Sequence, residues 1–229
     1  MSNSPLVNVT RLSPNYTEIA NKKNINIIPH HTAGVLSVEA ALEWFSRPST
    51  QASCNYVVGN DGRIGLCVPE DKRAWTTSSR AADSVSVTIE VVNSSAGGEW
   101  PVSDAAWKSL VNLCADICKR NGIEKLNYTG DKNGNLHMHK WYANTNCPGP
   151  YLASRFPKLA AEVNAKLEKQ EEEEVRYNYV SEMPKWARAD IQKLVDEGYL
   201  KGRDNGKLDM TDDMIRTVII CGRMMGVLE

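Results

Sequence analysis

Apolar positions recur along this chain with two different periods, and the switches between them mark its elements. Residues 1 to 24 are polar and interrupted by Pro5, Pro14 and several Asn, which reads as an extended, loop-rich lead-in. Ile25–Ile28 is a short β-branched run, so a strand is expected there, and it delivers Pro29, His30, His31, Thr32, Ala33 and Gly34 at its end. Ser37 is placed to cap a helix to about Arg47, with Val38, Leu42 and Phe45 on one face, Glu39 in the first turn and Pro48 as its stop. Ser53–Val58 and Arg63–Val68 read as two strands joined through the Gly59–Gly62 turn. A polar loop through Trp75 and Ser78 leads to Ser84–Val92, the most strand-like run in the chain.

The period then changes. Ser103 caps a long helix to about Asn121, in which Trp107, Leu110, Val111, Cys114, Ile117 and Cys118 form a core stripe and Gly122 is the C-terminal stop. Beyond residue 149, Leu152, Leu159, Val163 and Leu167 mark helical segments, with Pro157 read as a break or a first-turn residue. Strands separated by helices imply an α/β fold, a mixed central sheet flanked by helices. Residues 168–176 are a charge run whose adjacent carboxylates resist burial, so 169–176 is expected to be an acidic linker after a catalytic domain at 1–168. Residues 177–229 then form a small helical module, with one helix from Pro184 stopped by Gly198 and another capped by Thr211 that carries Met214, Val218, Ile219 and Met224.

Composition narrows the classes. At 229 residues the chain can hold one well-buried domain and a small accessory one, and 24% charged with 41% apolar residues is a globular balance. A formal net charge of −1 offers no long-range pull on a polyanion, so neither nucleic acid nor an acidic membrane surface is an expected partner. No basic start with an apolar segment follows Met1, so synthesis in a cytoplasm without a secretory signal is expected. The six cysteines lack framework spacing and read as reduced thiols, with Cys147 as a functional exception.

The candidate chemistry lies in the histidines. The chain has four, spent on two sites: His30 with His31, and His137 with His139 in the Leu136–Gly149 stretch, which also holds Cys147, Pro148 and Gly149. A catalytic zinc takes three ligands from His, Cys and carboxylates and leaves a fourth position for water, so one His from each site plus Cys147 would meet that need. Adjacent strand residues face opposite ways, so only one of His30 and His31 can face a given metal, and spacing alone does not choose. Glu90 is a carboxylate inside an apolar strand, either at a solvated edge or placed to act, and burial would raise its pKa toward proton transfer.

A strand leading to His-His-Thr-Ala-Gly, an Asn55-Tyr56 strand about 25 residues later, a Thr88-Ile89-Glu90 strand, and His139 followed eight residues on by Cys147-Pro-Gly resemble the zinc-dependent N-acetylmuramoyl-L-alanine amidases of type 2. That family includes many phage endolysins and is similar to the peptidoglycan recognition proteins. The resemblance covers roughly residues 20 to 168. It implies zinc held by His30, His139 and Cys147, with His137 spare and His31 supporting the site. It also implies Glu90 as general base, with Tyr56 at the position where other members use a tyrosine, and Thr145 as a donor to the oxyanion. The reaction implied is hydrolysis of the amide between N-acetylmuramic acid and the L-alanine of the stem peptide, with peptidoglycan of the bacterial cell wall as the partner.

Two departures from the pattern bear on substrate contacts. Thr76 stands where many relatives have a histidine after the tryptophan, and Lys140–Asn146 differs from their usual stretch before the cysteine. In the C-terminal module, the spacing of Trp186-Ala187, Ile191, Leu194 and Gly198-Tyr199-Leu200 looks like half of an S-layer-homology-type repeat. Wall attachment and homodimerisation are both open for it. A non-catalytic peptidoglycan binder on the same fold is the alternative, and the joint presence of His30, His139 and Cys147 favours the enzyme, since a binder needs no thiolate ligand.

Overall fold

The computed structural model of the chain describes residues 3–172, 175–203 and 206–228. The chain divides into two compact units, Met1–Leu167 and Glu168–Glu229. Part of the acidic run, residues 173 and 174, lies outside the described residues.

The first unit is built on strands β1 (Val9–Thr10), β2 (Tyr16–Glu18), β3 (Asn26–His31), β4 (Tyr56–Val58), β5 (Ile64–Leu66), β6 (Lys72–Ala74) and β7 (Ser86–Val91). Among them lie helices α1 (Val38–Phe45) and α2 (Arg80–Asp83), and after them come α3 (Asp104–Asn121) and α4 (Gly149–Glu172). The central sheet has the order β1-β5-β4-β7-β3, with β3 and β4 parallel to β7, β5 antiparallel to β4, and β1 parallel to β5. It is a mixed sheet flanked by helices, as the pattern of elements predicts. The helix ends follow the capping chemistry in the sequence. Ser37 and Ser103 accept hydrogen bonds from the amides of Ala40 and Ala106, and Gly122 closes α3 in the left-handed region.

Each face of the sheet has its own core. Alternation along the strands sends Ile27, Tyr56, Val87, Ile89 and Val91 to one side, where they pack with Leu110, Cys114 and Ile117 of α3 and Leu152, Phe156 and Leu159 of α4. Val57 and Val92 go to the other side and pack with Val38, Ala41 and Leu42 of α1. Gly65 lets α1 sit this close, because a Cβ there would come within 2.8 Å of Val38 Cγ1 and Leu42 Cδ1.

The structure departs from the sequence reading in four places. The lead-in is not all loop: β1 forms the sheet edge and β2 pairs antiparallel with β6. The loop through Trp75 holds β6 and precedes α2. β3 runs on through His31, three residues past the Ile28 end of the β-branched run. Pro157 does not break α4, since it lies on the exposed side while Phe156, Leu159 and Ala160 are buried, so the carbonyl it leaves unpaired can meet water.

The second unit contains β8 (Arg176–Tyr177), α5 (Lys185–Asp196), β9 (Met210–Thr211) and α6 (Asp212–Met224), with β8 and β9 antiparallel. Met183, Ala187, Ile191, Leu194, Met210, Ile215, Ile219 and Leu228 make its core.

Candidate active site

The sheet order decides which strand residues can meet. β7 lies between β4 and β3, and its Glu90 is in register with His30 on one side and Val57 on the other. Residues in register share a face, so His30 and Glu90 both project to the α1 side. Glu90 is therefore inside the sheet and not at a solvated edge. His31, one residue on, turns the other way: its ring meets Trp100 edge-on at 5.6 Å between centroids and lies against Gly149 at the start of α4. Gly149 has φ +80°, and a Cβ on it would come within 3.0 Å of the His31 ring, so only glycine fits there.

The irregular segment before α4 brings the other groups to the end of β3. An isolated bridge between Ile27 and Leu136 ties it to the strand, and His139 starts a short 3₁₀ turn. His30, His139 and Cys147 each offer a ligand atom, and these atoms lie within 4.8 Å of one another. Cys147 Sγ is 3.3 Å from His30 Nδ1, and the two imidazole centroids are 4.7 Å apart. Glu90 Oε1 is 4.0 Å from His30 Nδ1. His30 Nε2, His139 Nε2 and Glu90 Oε2 are buried without a hydrogen-bond partner. Orphaned polar atoms of this kind are costly in a protein interior and call for a ligand.

Burial sets the protonation of the cluster. It holds His30 well below the ordinary imidazole value, with His139 and His31 adding to the effect, and it lowers His139 as well. The Cys147 thiol is pushed up by burial and then by Glu90. The Glu90 carboxyl is pushed up to about 8, by burial first and by Cys67 second. The cluster is thus two neutral imidazoles with free lone pairs, a protonated thiol and a protonated carboxyl near neutral pH. Such a set gains from a cation, which draws off the thiol proton.

The remaining candidates fall in different places. Thr145 Oγ1 accepts from the Cys147 amide at 3.2 Å, which leaves its own hydrogen to donate. Tyr56 is not brought to the cluster. Its register partner is Ile89, so it faces the α3 side, where its hydroxyl donates to Glu70 Oε1 at 2.6 Å and accepts from the Ser4 amide. Arg120 and Asn121 complete the shell of that buried carboxylate. His137 has both nitrogens engaged. Nε2 faces the Gly134 carbonyl at 2.9 Å and must carry the proton, so Nδ1 accepts from the Tyr142 hydroxyl at 2.7 Å.

Three residues that the sequence reading did not single out also shape the site. Buried Asp83 accepts from the Thr77 hydroxyl at 2.8 Å and from the amides of Thr77 and Thr76, and the Thr77 carbonyl faces the His139 ring. Cys54 and Cys67 are fully buried beside Glu90 on the α1 side. None of these carries a spacing signal, because each acts through a neighbour in space. A groove of about 230 Å³ opens next to Glu90, walled by Leu36, Ala41, Trp44 and Phe45.

The family model of N-acetylmuramoyl-L-alanine amidases matches residues 21–150, more than half of the chain and all of the cluster. The chain belongs to that family. As an N-acetylmuramoyl-L-alanine amidase it is a hydrolase acting on peptidoglycan. The amidase fold is also that of solved structures at low identity. The PlyG catalytic domain matches with a TM-score of 0.56 and 17% identity over 69% of this chain and 93% of that one. The endolysin and amidase LysCS from Clostridium intestinale URNW matches at 0.51 and 19%, over 72% of this chain and 99% of that one. A selenomethionine derivative of AmpD matches at 0.51 and 19%, over 69% and 96%. No curated protein matches this amidase by sequence.

Proposed function

We propose that this amidase cleaves the bond between N-acetylmuramic acid and the L-alanine of the stem peptide with zinc held by His30, His139 and Cys147. The observation that carries the reading is the meeting of those three ligand atoms within 4.8 Å at the end of β3. Zinc, when bound, supplies Lewis acidity toward the scissile carbonyl and eases the ionisation of water.

The chain's own groups divide the remaining work. Glu90, whose Oε2 is buried and unpartnered, would be ionised by a cation bound beside it and would then take the proton of the attacking water and return it to the amine of the departing L-alanine. Thr145, its hydroxyl hydrogen uncommitted, donates to the oxyanion of the tetrahedral intermediate. Asp83 pins the Thr76–Thr77 loop and, through the Thr77 carbonyl, holds the His139 ring in one orientation. Gly149 lets the His31 ring pack closely at the start of α4, beside Cys147.

The chain acts as a phage or prophage endolysin, a reading supported by its likeness to proteins that are themselves called endolysins. Such an enzyme is made in the host cytoplasm and meets the wall at lysis. Among the described residues no helix is long and apolar enough to cross a membrane. The C-terminal unit, which holds no histidine, serves wall attachment or assembly and not chemistry.

Replacing Cys147 by Ser tests the ligand set. The variant is expected to lose stoichiometric zinc by elemental analysis and to lose turnover on muropeptides. Full zinc and normal turnover in the variant would remove Cys147 from the site.

A further inference from the structure

His137, which the family resemblance leaves spare, is buried with its amide and both ring nitrogens engaged. The amide donates to the Ile27 carbonyl of β3 at 3.0 Å, Nε2–H donates to the Gly134 carbonyl at 2.9 Å, and Nδ1 accepts from the Tyr142 hydroxyl at 2.7 Å. The first two partners are fixed points. Ile27 is fully buried in the sheet, and Gly134 belongs to a loop that the Asn127 carbonyl holds by accepting from the amides of Asn135 and Leu136. A Cβ at position 134 would collide with that carbonyl, so the loop closes only on a glycine. With the Nε2 proton committed to Gly134, Nδ1 is left as an acceptor, and this tautomer is the one that can receive the Tyr142 hydroxyl.

The candidate ligand His139 stands two residues further on, in a turn with little to hold it. His139–Trp141 is a single 3₁₀ turn, a form whose hydrogen bonds are poorly aligned, and Met138 gives it no side-chain cap. It closes only through the Trp141 amide to the Met138 carbonyl at 3.1 Å and the Tyr142 amide to the His139 carbonyl at 2.8 Å. The Thr77 carbonyl orients the His139 ring but does not place the backbone that carries it. Both ends of the turn are tied to His137 instead. Its start follows the His137 amide bonded to β3, and its last residue, Tyr142, is fastened to the His137 ring. Neighbours hold this second tie in place: the Trp141 ring meets the His137 imidazole edge-on at 5.8 Å, and Lys132 Nζ lies 4.4 Å over the Tyr142 ring.

We propose that His137 is a positioning residue of the metal site, which through Tyr142 fixes the turn carrying His139 where it meets His30 and Cys147. This rests on the reading of those three residues as zinc ligands. Zinc titration of the full-length chain against a chromophoric chelator should show Kd raised about 10- to 100-fold by His137→Leu and by Tyr142→Phe, the usual cost of losing a group that orients a metal ligand. Combining the two should cost no more than either alone, because both break one hydrogen bond. Two amide variants separate the bonds of the ring. His137→Asn puts its carbonyl near the place of Nδ1 and should keep Kd close to wild type, whereas His137→Gln reaches toward Gly134 but not Tyr142 and should bind as weakly as His137→Leu. A purely structural role would lower the urea midpoint of the metal-free chain and leave Kd of the folded chain unchanged, and that result overturns the proposal. Additive losses, or rescue by Gln in place of Asn, overturn the route through Tyr142. A rate loss for Tyr142→Phe at full zinc occupancy with unchanged Kd would place its hydroxyl at the substrate and also overturn it. Wild type that takes up no zinc refutes the ligand reading itself and this inference with it, whereas wild type and variants that bind zinc equally tightly refute this inference alone.

Discussion

Glu90→Gln should separate the stability of this fold from its chemistry. The Glu90 side chain is 13% exposed, lies in an interior strand and has one oxygen without a partner. In the metal-free chain its carboxyl is held up to about 8, against an ordinary value of 4.5. At about 1.4 kcal/mol per pH unit, keeping it ionised in the fold costs on the order of 5 kcal/mol. Between those two values the folded chain binds a proton that the unfolded chain has released, so this group makes stability fall as pH rises. Its contribution is complete below about pH 4.5 and lost above about 8. That sign is opposite to that of a carboxylate in an ion pair.

Glutamine keeps the shape and cannot ionise. Zinc-free wild type and variant, unfolded in urea across this range, should have similar stability near pH 5, whereas near pH 9 the variant should be more stable by up to about 5 kcal/mol. Hydrolysis by the zinc-loaded variant should fall roughly 10²-fold or more, as for loss of a positioned general base. Zinc beside the carboxyl favours its charged form, so loading the wild type should shrink the stability gap. Parallel stability curves for the two proteins from pH 5 to 9 would refute the buried, protonated carboxyl. A gap unchanged by zinc would refute a metal next to Glu90.

Tyr56→Phe removes a hydrogen bond to buried Glu70, and denaturant melts should show a loss of about 1 to 3 kcal/mol with turnover retained. A rate loss as large as that of Glu90→Gln would bring Tyr56 back into the chemistry. A chain ending near Glu168 keeps every candidate group and should bind zinc and cleave soluble muropeptides, with its deficit confined to intact walls, where attachment raises local concentration. If that chain is folded and metal-loaded but inactive on soluble substrate, the C-terminal unit belongs to the active site.

What could be read in advance depended on how local the cause was. α1 and α3 were legible because their caps, Ser37, Ser103 and Gly122, act within one turn of the residues they stop or start. β1, β2 and β6 were not, because, unlike β4 and β5, they have neither an apolar run nor a turn between them to mark them, and they form where a partner strand presents its edge, as β6 does for Thr17 and Glu18. The grouping of His30, His139 and Cys147 was visible through histidine scarcity. The choice between neighbours was not, because it depends on register. His30 and His31 differ by one residue, and only the pairing of His30 with Glu90 puts one of them beside the carboxylate and sends the other toward Trp100. Tyr56 shows the same rule with the opposite outcome. Glu90 pairs with Val57, so a tyrosine one position earlier on β4 lands across the sheet among α3 and Glu70. A one-residue slip of β4 against β7 would exchange the two environments, which is why no count along the chain could have separated a buried structural hydroxyl from a group in the site.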